Sequence, residues 1–297
     1  AGRFNISMPG YVKKALKRLQ HTPHTSPQHS PHQHVPIQYG EKGCRQFAPG
    51  VDTSRPLSAK ETTELQSTVG TFLYYGRAVD SSILPALNSL AREQSKPTEN
   101  TKRKAQRLMD YLATYPNASI QYEASNMILH VDSDAAYLVA PKARSRIAGY
   151  YYLTNIACPT TSAKLNGAVQ VECKTLRHVV TSAAEAEVAG VFHNTQMAIP
   201  IRRMLEKLNH IQPPTPIKTD NSTATGFIYD NIHQKRSKSW DMRYYWLRDR
   251  ILQKQFKFFW EKGESNHADY FTKHHATIYH RATRSKYIQD VANATSI

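Results

Sequence analysis

Cysteine is scarce in this chain. Its three cysteines, Cys44, Cys158 and Cys173, are too few and too widely spaced for a disulfide framework or a Cys-x-x-Cys zinc site, which points to a reducing compartment. Long hydrophobic runs are missing as well: nothing approaches the ~18 consecutive apolar residues of a membrane span, and the N-terminus carries no basic-then-apolar leader pattern. A soluble, intracellular protein with no membrane partner is expected. Acidic residues are in deficit, 23 Asp and Glu against 39 Lys and Arg, for a formal charge of +16. A surplus of that size creates a field that attracts polyanions, nucleic acid first among them. The 40% hydrophobic content is nevertheless enough for a real core. A chain that opens on Ala1-Gly-Arg-Phe instead of Met is expected to be a piece of a longer polyprotein.

Residues 21–57 begin with a stretch of His, Pro, Ser, Thr and Gln without apolar periodicity, and they predict a flexible linker. Histidines separated by prolines lack the fixed geometry of a tetrahedral metal site. From Ser58 the pattern turns helical. Leu65, Val69, Phe72 and Leu73 follow three-and-four spacing, and two further amphipathic stretches complete a small helical segment over 58–125. The main domain is expected over 126–275, with 276–297 as a tail. Strands are predicted at Met127–Val131, Arg146–Leu153, Val169–Cys173, Ile217–Asp220 and Phe256–Trp260. Helices are predicted from an N-cap at Ser182 through a bend at Pro200 toward Leu205, from Lys238 to Gln253, and from Asn266 to Lys273. The order implies a mixed α/β fold.

Four acidic positions stand out against the basic background: Asp132 in His-Val-Asp-Ser-Asp, Glu187 in Ser-Ala-Ala-Glu-Ala-Glu, Asp220 in Lys-Thr-Asp-Asn-Ser and Asp269 in His-Ala-Asp-Tyr-Phe-Thr-Lys. Each sits at a predicted strand end or on a helix beside one. Carboxylates gathered in a cationic chain call for a neutralising cation, and hard divalent ions prefer oxygen ligands. Asp134 shares a face with Asp132 if the backbone stays extended beyond Val131, so turn geometry decides its role. His267 is either a group that orients water near Asp269 or an ordinary surface histidine. Between Glu185 and Glu187, about 200° apart on a helix, the first suits a capping box with Ser182. The second has small neighbours, Ala183 and Gly190, which leave room for a substrate. The cations Lys235, Arg236, Lys238, Arg243 and Arg250, interleaved with aromatics, are the candidate nucleic-acid contacts.

The motifs Thr-Asp-Asn-Ser-Thr-Ala, Lys-Arg-Ser-Lys-Ser-Trp-Asp-Met-Arg-Tyr-Tyr-Trp-Leu-Arg and His-Ala-Asp-Tyr-Phe-Thr-Lys resemble the ribonuclease H domain that ends copia-type LTR-retrotransposon polyproteins. Ser67-Thr-Val-Gly-Thr-Phe-Leu-Tyr-Tyr resembles the segment joining reverse transcriptase to that domain, and residues 1–20, with Ile6-Ser-Met-Pro-Gly-Tyr, resemble the tail of the polymerase. The resemblance implies a ribonuclease H-like mixed five-stranded sheet flanked by helices and preceded by a helical connection segment. It implies hydrolysis of the RNA strand of RNA–DNA hybrids, with Asp132, Glu187, Asp220 and Asp269 holding two Mg²⁺ ions, or Mn²⁺, about 3.5–4 Å apart. The implied partners are the hybrid and the rest of the polyprotein, and the implied setting is the cytoplasm, a virus-like particle or the nucleus. Two departures stand against it. Ala135-Ala136-Tyr137 replaces the family's Trp-Ala-Gly, and no Tyr-x-Asp-Asp polymerase signature is present, so the chain is not expected to polymerise DNA. The competing expectation is a decayed element remnant that only binds nucleic acid.

Overall fold

The computed structural model describes residues 2–34, 52–155, 163–229 and 238–290, with the side chains of 238–241 excepted. The chain divides into two compact units. The larger is Glu123–Lys273, and the smaller takes the chain on either side of it.

The smaller unit opens with β1 (Arg3–Ser7) and α1 (Tyr11–Arg18), then α2 (Ala59–Ala78), α3 (Leu84–Glu93), α4 (Glu99–Thr114) and β2 (Ala118–Glu123). Helix α2 starts where Ser58 and Glu61 cap each other reciprocally, and it buries Leu65, Val69 and Phe72, the stripe its spacing predicts. Gly76 lets α3 approach, since a Cβ there would meet Ile83, Leu84 and Leu87 at 3.1–3.2 Å. Residues 21–34, expected to be a flexible linker, are instead seated on α4. His21 Nε2 lies 2.9 Å from Asp110, the Gln28 amide donates to Thr114 Oγ1 at 3.0 Å, and Arg107 Nε donates to the Ser30 carbonyl at 3.2 Å. The segment buries little apolar surface, and side chains of α4 satisfy its polar groups in place of water. The remainder of the expected linker, 35–51, lies outside the described residues.

In the larger unit, β3 (Ile128–Ala140), β4 (Arg144–Thr154) and β5 (Ala168–Thr175) form an antiparallel meander. Then come α5 (Ala183–Lys207), β6 (Thr215–Thr219), α6 (Ser222–Ile228), α7 (Lys238–Leu252) and β7 (Phe256–Trp260). The sheet order is β5-β4-β3-β6-β7, with β6 parallel to β3 and β7 parallel to β6. The three-residue joint 141–143 makes the antiparallel pair of β3 and β4, and the helical crossovers make the parallel pairs. Val188 and Val191 of α5 and Leu247 of α7 pack with Val131, Ile217 and Phe258 of the sheet. This is the five-stranded, helix-flanked architecture the motif resemblance implies.

Two local expectations fail here. The first strand does not stop at Val131 but continues to Ala140, pairing Asp132 with Tyr150 and Asp134 with Ala148. Asp132 and Asp134 therefore share one face. The predicted helix over 266–273 is also absent, reduced to a single 3₁₀ turn at Asp269–Phe271. Its polar groups are diverted to β3: the His267 amide donates to the Asp132 carboxylate at 3.0 Å, and Asn266 Nδ2 donates to the Ser133 carbonyl at 2.9 Å.

After Lys273 the chain returns to the smaller unit as α8 (Thr277–Arg284) and β8 (Gln289–Asp290). Instead of a tail, 277–290 completes that unit. β8 pairs antiparallel with β2, His280 meets the Tyr111 hydroxyl at 3.1 Å, and Arg284 pairs with Asp290 at 2.7 Å.

Candidate metal centre

The extension of β3 carries Asp134 to a point beside β6 and the first turns of α5. There carboxylate oxygens of Asp134, Glu187 and Asp220 all come within 4.8 Å of one another. Asp134 is supplied by β3, Glu187 by α5 and Asp220 by the end of β6. The Ser182 hydroxyl caps α5 by accepting the Glu185 amide at 3.1 Å, and the Glu185 carboxylate accepts from the Thr181 amide at 2.6 Å. Glu185 is thus committed to the helix start, while Glu187 points to the sheet. Glu187 accepts the Ala135 amide at 3.2 Å and the Thr219 hydroxyl at 3.3 Å. Gly190, read from sequence as room for substrate, faces the sheet, where a Cβ would lie 3.5 Å from the Asp134 carbonyl and from Ala135.

Burial pushes the Asp134 carboxyl up to about 7, and the charges of Asp269 and Asp220 add to the rise. Burial likewise raises Glu187 well above the ordinary carboxylate range, reinforced by Asp134 and Asp220, and it raises Asp220, reinforced by Asp269. Asp269 is therefore close enough to act on both neighbours, although it is not among the three that converge most tightly. Lys273 pairs with Asp269. The Thr272 hydroxyl has one hydrogen to give, either to Asp134 Oδ2 at 2.6 Å or to the Asp269 carbonyl at 2.9 Å. Gly263 leaves the outer side of Asp220 open, since a Cβ there would stand 2.9 Å from Asp220 Oδ2.

Asp132 is elsewhere. It is fully buried two residues back along the strand, its Oδ2 3.0 Å from Lys218 Nζ and its Oδ1 3.3 Å from His130 Nε2. Burial alone would raise its pKa, but the contact with His130 and the charge of Lys218 more than offset that and hold it below the usual carboxylate value. Of the four acids singled out in the sequence, the structure brings Glu187, Asp220 and Asp269 to one place and keeps Asp132 in an ion pair. Asp134 takes the central position. The signal available for it in sequence was the Asp-x-Asp spacing.

The cluster suits a hard divalent ion. Its donors are all oxygens, two of the three converging residues are buried, and the mutual repulsion that lifts their pKa values is what a cation would relieve. Among the candidate nucleic-acid contacts, Lys235 and Arg236 lie outside the described residues, as does the side chain of Lys238. Arg243 sits 6.0 Å from the Phe192 ring centre, and Arg250 lies 5.2 Å over Trp246 and pairs with Asp249. His267 uses its backbone to bind Asp132, and its ring sits 6.1 Å from that of Tyr150.

Glu187→Gln is expected to abolish metal-dependent activity, whereas Glu185→Gln costs about 1 kcal/mol, the worth of a helix cap. Paired thermal melts and activity assays of the two variants check this, and loss of activity in Glu185→Gln alone would reverse the assignment.

No family model matches the chain. It is 22% identical over 207 residues to the retrovirus-related Pol polyprotein from transposon TNT 1-94 of Nicotiana tabacum, a match covering 70% of this chain and 15% of the relative's length. Among solved structures it is similar to LC11-RNase H1 in complex with RNA/DNA hybrid, at 11% identity and a TM-score of 0.35, covering 48% of this chain and 92% of that one. It is also similar to a foamy viral protease-reverse transcriptase in complex with dsDNA, at 13% identity and a TM-score of 0.41, covering 72% and 40%. The strand order β5-β4-β3-β6-β7 with its covering helices is a ribonuclease H-like α/β fold, and the chain that carries it is similar over most of its length to a section of a retrotransposon Pol polyprotein.

Proposed function

We propose that this chain is a metal-dependent endoribonuclease that hydrolyses the RNA strand of RNA–DNA hybrids during reverse transcription of a copia-type retrotransposon. The observation that carries the reading is the convergence of Asp134, Glu187 and Asp220 on a ribonuclease H-like sheet, with Asp269 beside them. Asp134 replaces Asp132 as the first-strand ligand in this proposal. Two divalent ions, Mg²⁺ or Mn²⁺, would supply an activated water and charge stabilisation at the departing 3′ oxygen. The protein's share of the work is positional. Ala135 and Thr219 orient Glu187, Thr272 orients Asp134, and Gly263 keeps the approach to Asp220 open. The proposed partners are the hybrid and the rest of the polyprotein, and the proposed setting is intracellular. Among the described residues no helix is long and apolar enough to cross a membrane.

The test is direct. A hybrid labelled on its RNA strand, incubated with the full chain and Mg²⁺, should yield internal cuts that chelation prevents. Tight hybrid binding without cleavage at any Mg²⁺ or Mn²⁺ concentration would favour a remnant that only binds.

Hybrid affinity should fall steeply with salt, because phosphate contacts release counterions. Arg243→Gln should flatten the plot of log affinity against log salt by about 0.9, the loss of one phosphate contact, and Arg250→Gln by less. Arg250 already shares its charge with Asp249. Titrations at several salt concentrations measure both slopes, and equal slopes for wild type and Arg243→Gln would remove Arg243 from the interface.

A further inference from the structure

Lys218 is almost wholly buried, at 2% exposure, and lies opposite Asp132 in the parallel register of β3 and β6. A buried lysine beside a buried aspartate is more than a neutral pair here, because both partners also hold a third piece of chain. Lys218 Nζ donates to the Ser265 carbonyl at 2.6 Å, and Asp132 Oδ2 accepts the His267 amide at 3.0 Å. Between these two contacts, Asn266 donates its Nδ2 to the Ser133 carbonyl at 2.9 Å and accepts the Ala268 amide on Oδ1 at 3.1 Å. Three hydrogen bonds thus fix three consecutive residues, 265–267, against the sheet, and the fourth braces Ala268 on Asn266. The stretch they fix begins just after Gly263, which flanks Asp220, and ends just before Asp269, whose charge bears on both Asp134 and Asp220. Its own backbone bonding is limited to short 3₁₀ turns, with the Asn266 amide on the Gly263 carbonyl at 3.0 Å and the Asp269 amide on the Asn266 carbonyl at 3.3 Å, and these fix its local shape but not its height over the sheet.

We infer that Asp132 and Lys218 are positioning residues: the pair grips residues 265–268 from below and thereby places the Asp269 carboxylate against Asp134 and Asp220, without Asp132 itself being a ligand. The inference rests on the metal-centre reading above. It explains why a carboxylate two residues from the cluster is turned to a lysine, and why the segment bearing Asp269 forms only short 3₁₀ turns and bonds to β3 in place of a continuous α-helix. Ion-paired Asp132 and Lys218 do this better than apolar residues, since they present both an acceptor for His267 and a donor for Ser265 at one point.

The test uses the full chain and Mn²⁺ alone, with affinity read by titration calorimetry and amide protection by hydrogen exchange. Asp132→Leu/Lys218→Met replaces both charges together, so that neither is left buried and unpaired. This double variant and Asp269→Asn should each weaken Mn²⁺ binding by about 10-fold, the usual scale for supports of a metal site. Adding Asp269→Asn to the double variant should cost no more than about a further 2-fold, because contacts acting through one group are not additive. Protection of the His267 and Ala268 amides should drop in the double variant and stay unchanged in Asp269→Asn. Asn266→Ala, which leaves the ion pair intact, should reproduce the same non-additive loss and serves if the double variant does not fold. A fully additive loss, unchanged amide protection, or a double variant that binds no Mn²⁺ at all, as expected of Asp134→Asn, would each overturn the inference. Failure of the wild type to cut a hybrid while the Mn²⁺ and exchange patterns hold would instead count against the functional reading alone.

Discussion

Asp134→Asn should lower hybrid cleavage by about 10³-fold, the scale of losing one preorganised electrostatic contact at a reacting centre, while making the metal-free protein more stable. The two effects have one cause. Asp134 is a buried carboxyl that faces the charges of Asp269 and Asp220, so removing its charge relieves repulsion in the absence of a cation and deprives the site of a ligand in its presence. Asp132→Asn should behave in the opposite way toward stability. It strips the nearer carboxylate from a lysine that is only 2% exposed, leaving Glu261 at 3.6 Å, and breaking such a buried pair costs about 3–5 kcal/mol. Thermal melts in chelator, alongside cleavage rates in Mg²⁺, separate the two aspartates. Equal destabilisation by both substitutions would show that Asp134 is a structural acid like its neighbour.

The contribution of the acidic cluster to the stability of the metal-free protein should also fall as pH rises from about 4 to about 7, against an opposite contribution from His280, whose imidazole burial holds down at about 3. Asp134 has its ordinary value of 3.8 in the unfolded chain and about 7 in the folded one, so between those limits the native state holds a proton that the unfolded chain has released. Stability falls with pH wherever the folded state binds more protons. Glu187 and Asp220 are shifted in the same direction and deepen the fall. Mg²⁺ or Mn²⁺ should restore the loss at the upper end, because an ion that binds only the folded state stabilises it by mass action. The check is the difference in melting temperature between wild type and Asp134→Asn, followed across this pH window in chelator. Parallel profiles for the two proteins would contradict the charge-cluster account.

The larger unit was legible in sequence to the extent that its signals are local. The meander follows from three β-rich runs with turn residues between them, and the start of α5 follows from the Ser182 cap. Glu187 was separable from Glu185 because the two lie on opposite sides of a helix. What stayed hidden depended on contacts distant in sequence. Whether β3 ends at Val131 or runs on to Ala140 is set by its pairing with β4, and that choice decides whether Asp132 or Asp134 reaches the cluster. The segment before Lys273 has helix-compatible residues, but β3 offers its polar groups better partners than a helix would. The His/Pro stretch misled for a related reason. Composition reports how little apolar surface a segment can bury, and it is silent on a neighbouring helix whose Asp110, Arg107 and Thr114 meet the segment's polar groups.

The pairing of β2 with β8 sets an order of events during synthesis. Ser119 waits for Gln289, about 170 residues later, and the whole larger unit is translated in between. At about 5–20 residues per second that interval lasts on the order of ten seconds or more. The larger unit has its five strands in hand before the ribosome reaches β8, whereas the smaller one carries an open strand edge throughout. Contacts so distant along the chain are slow to form because loop closure must come first. The smaller unit is therefore the later of the two to mature, and the one more exposed to mispairing while it waits.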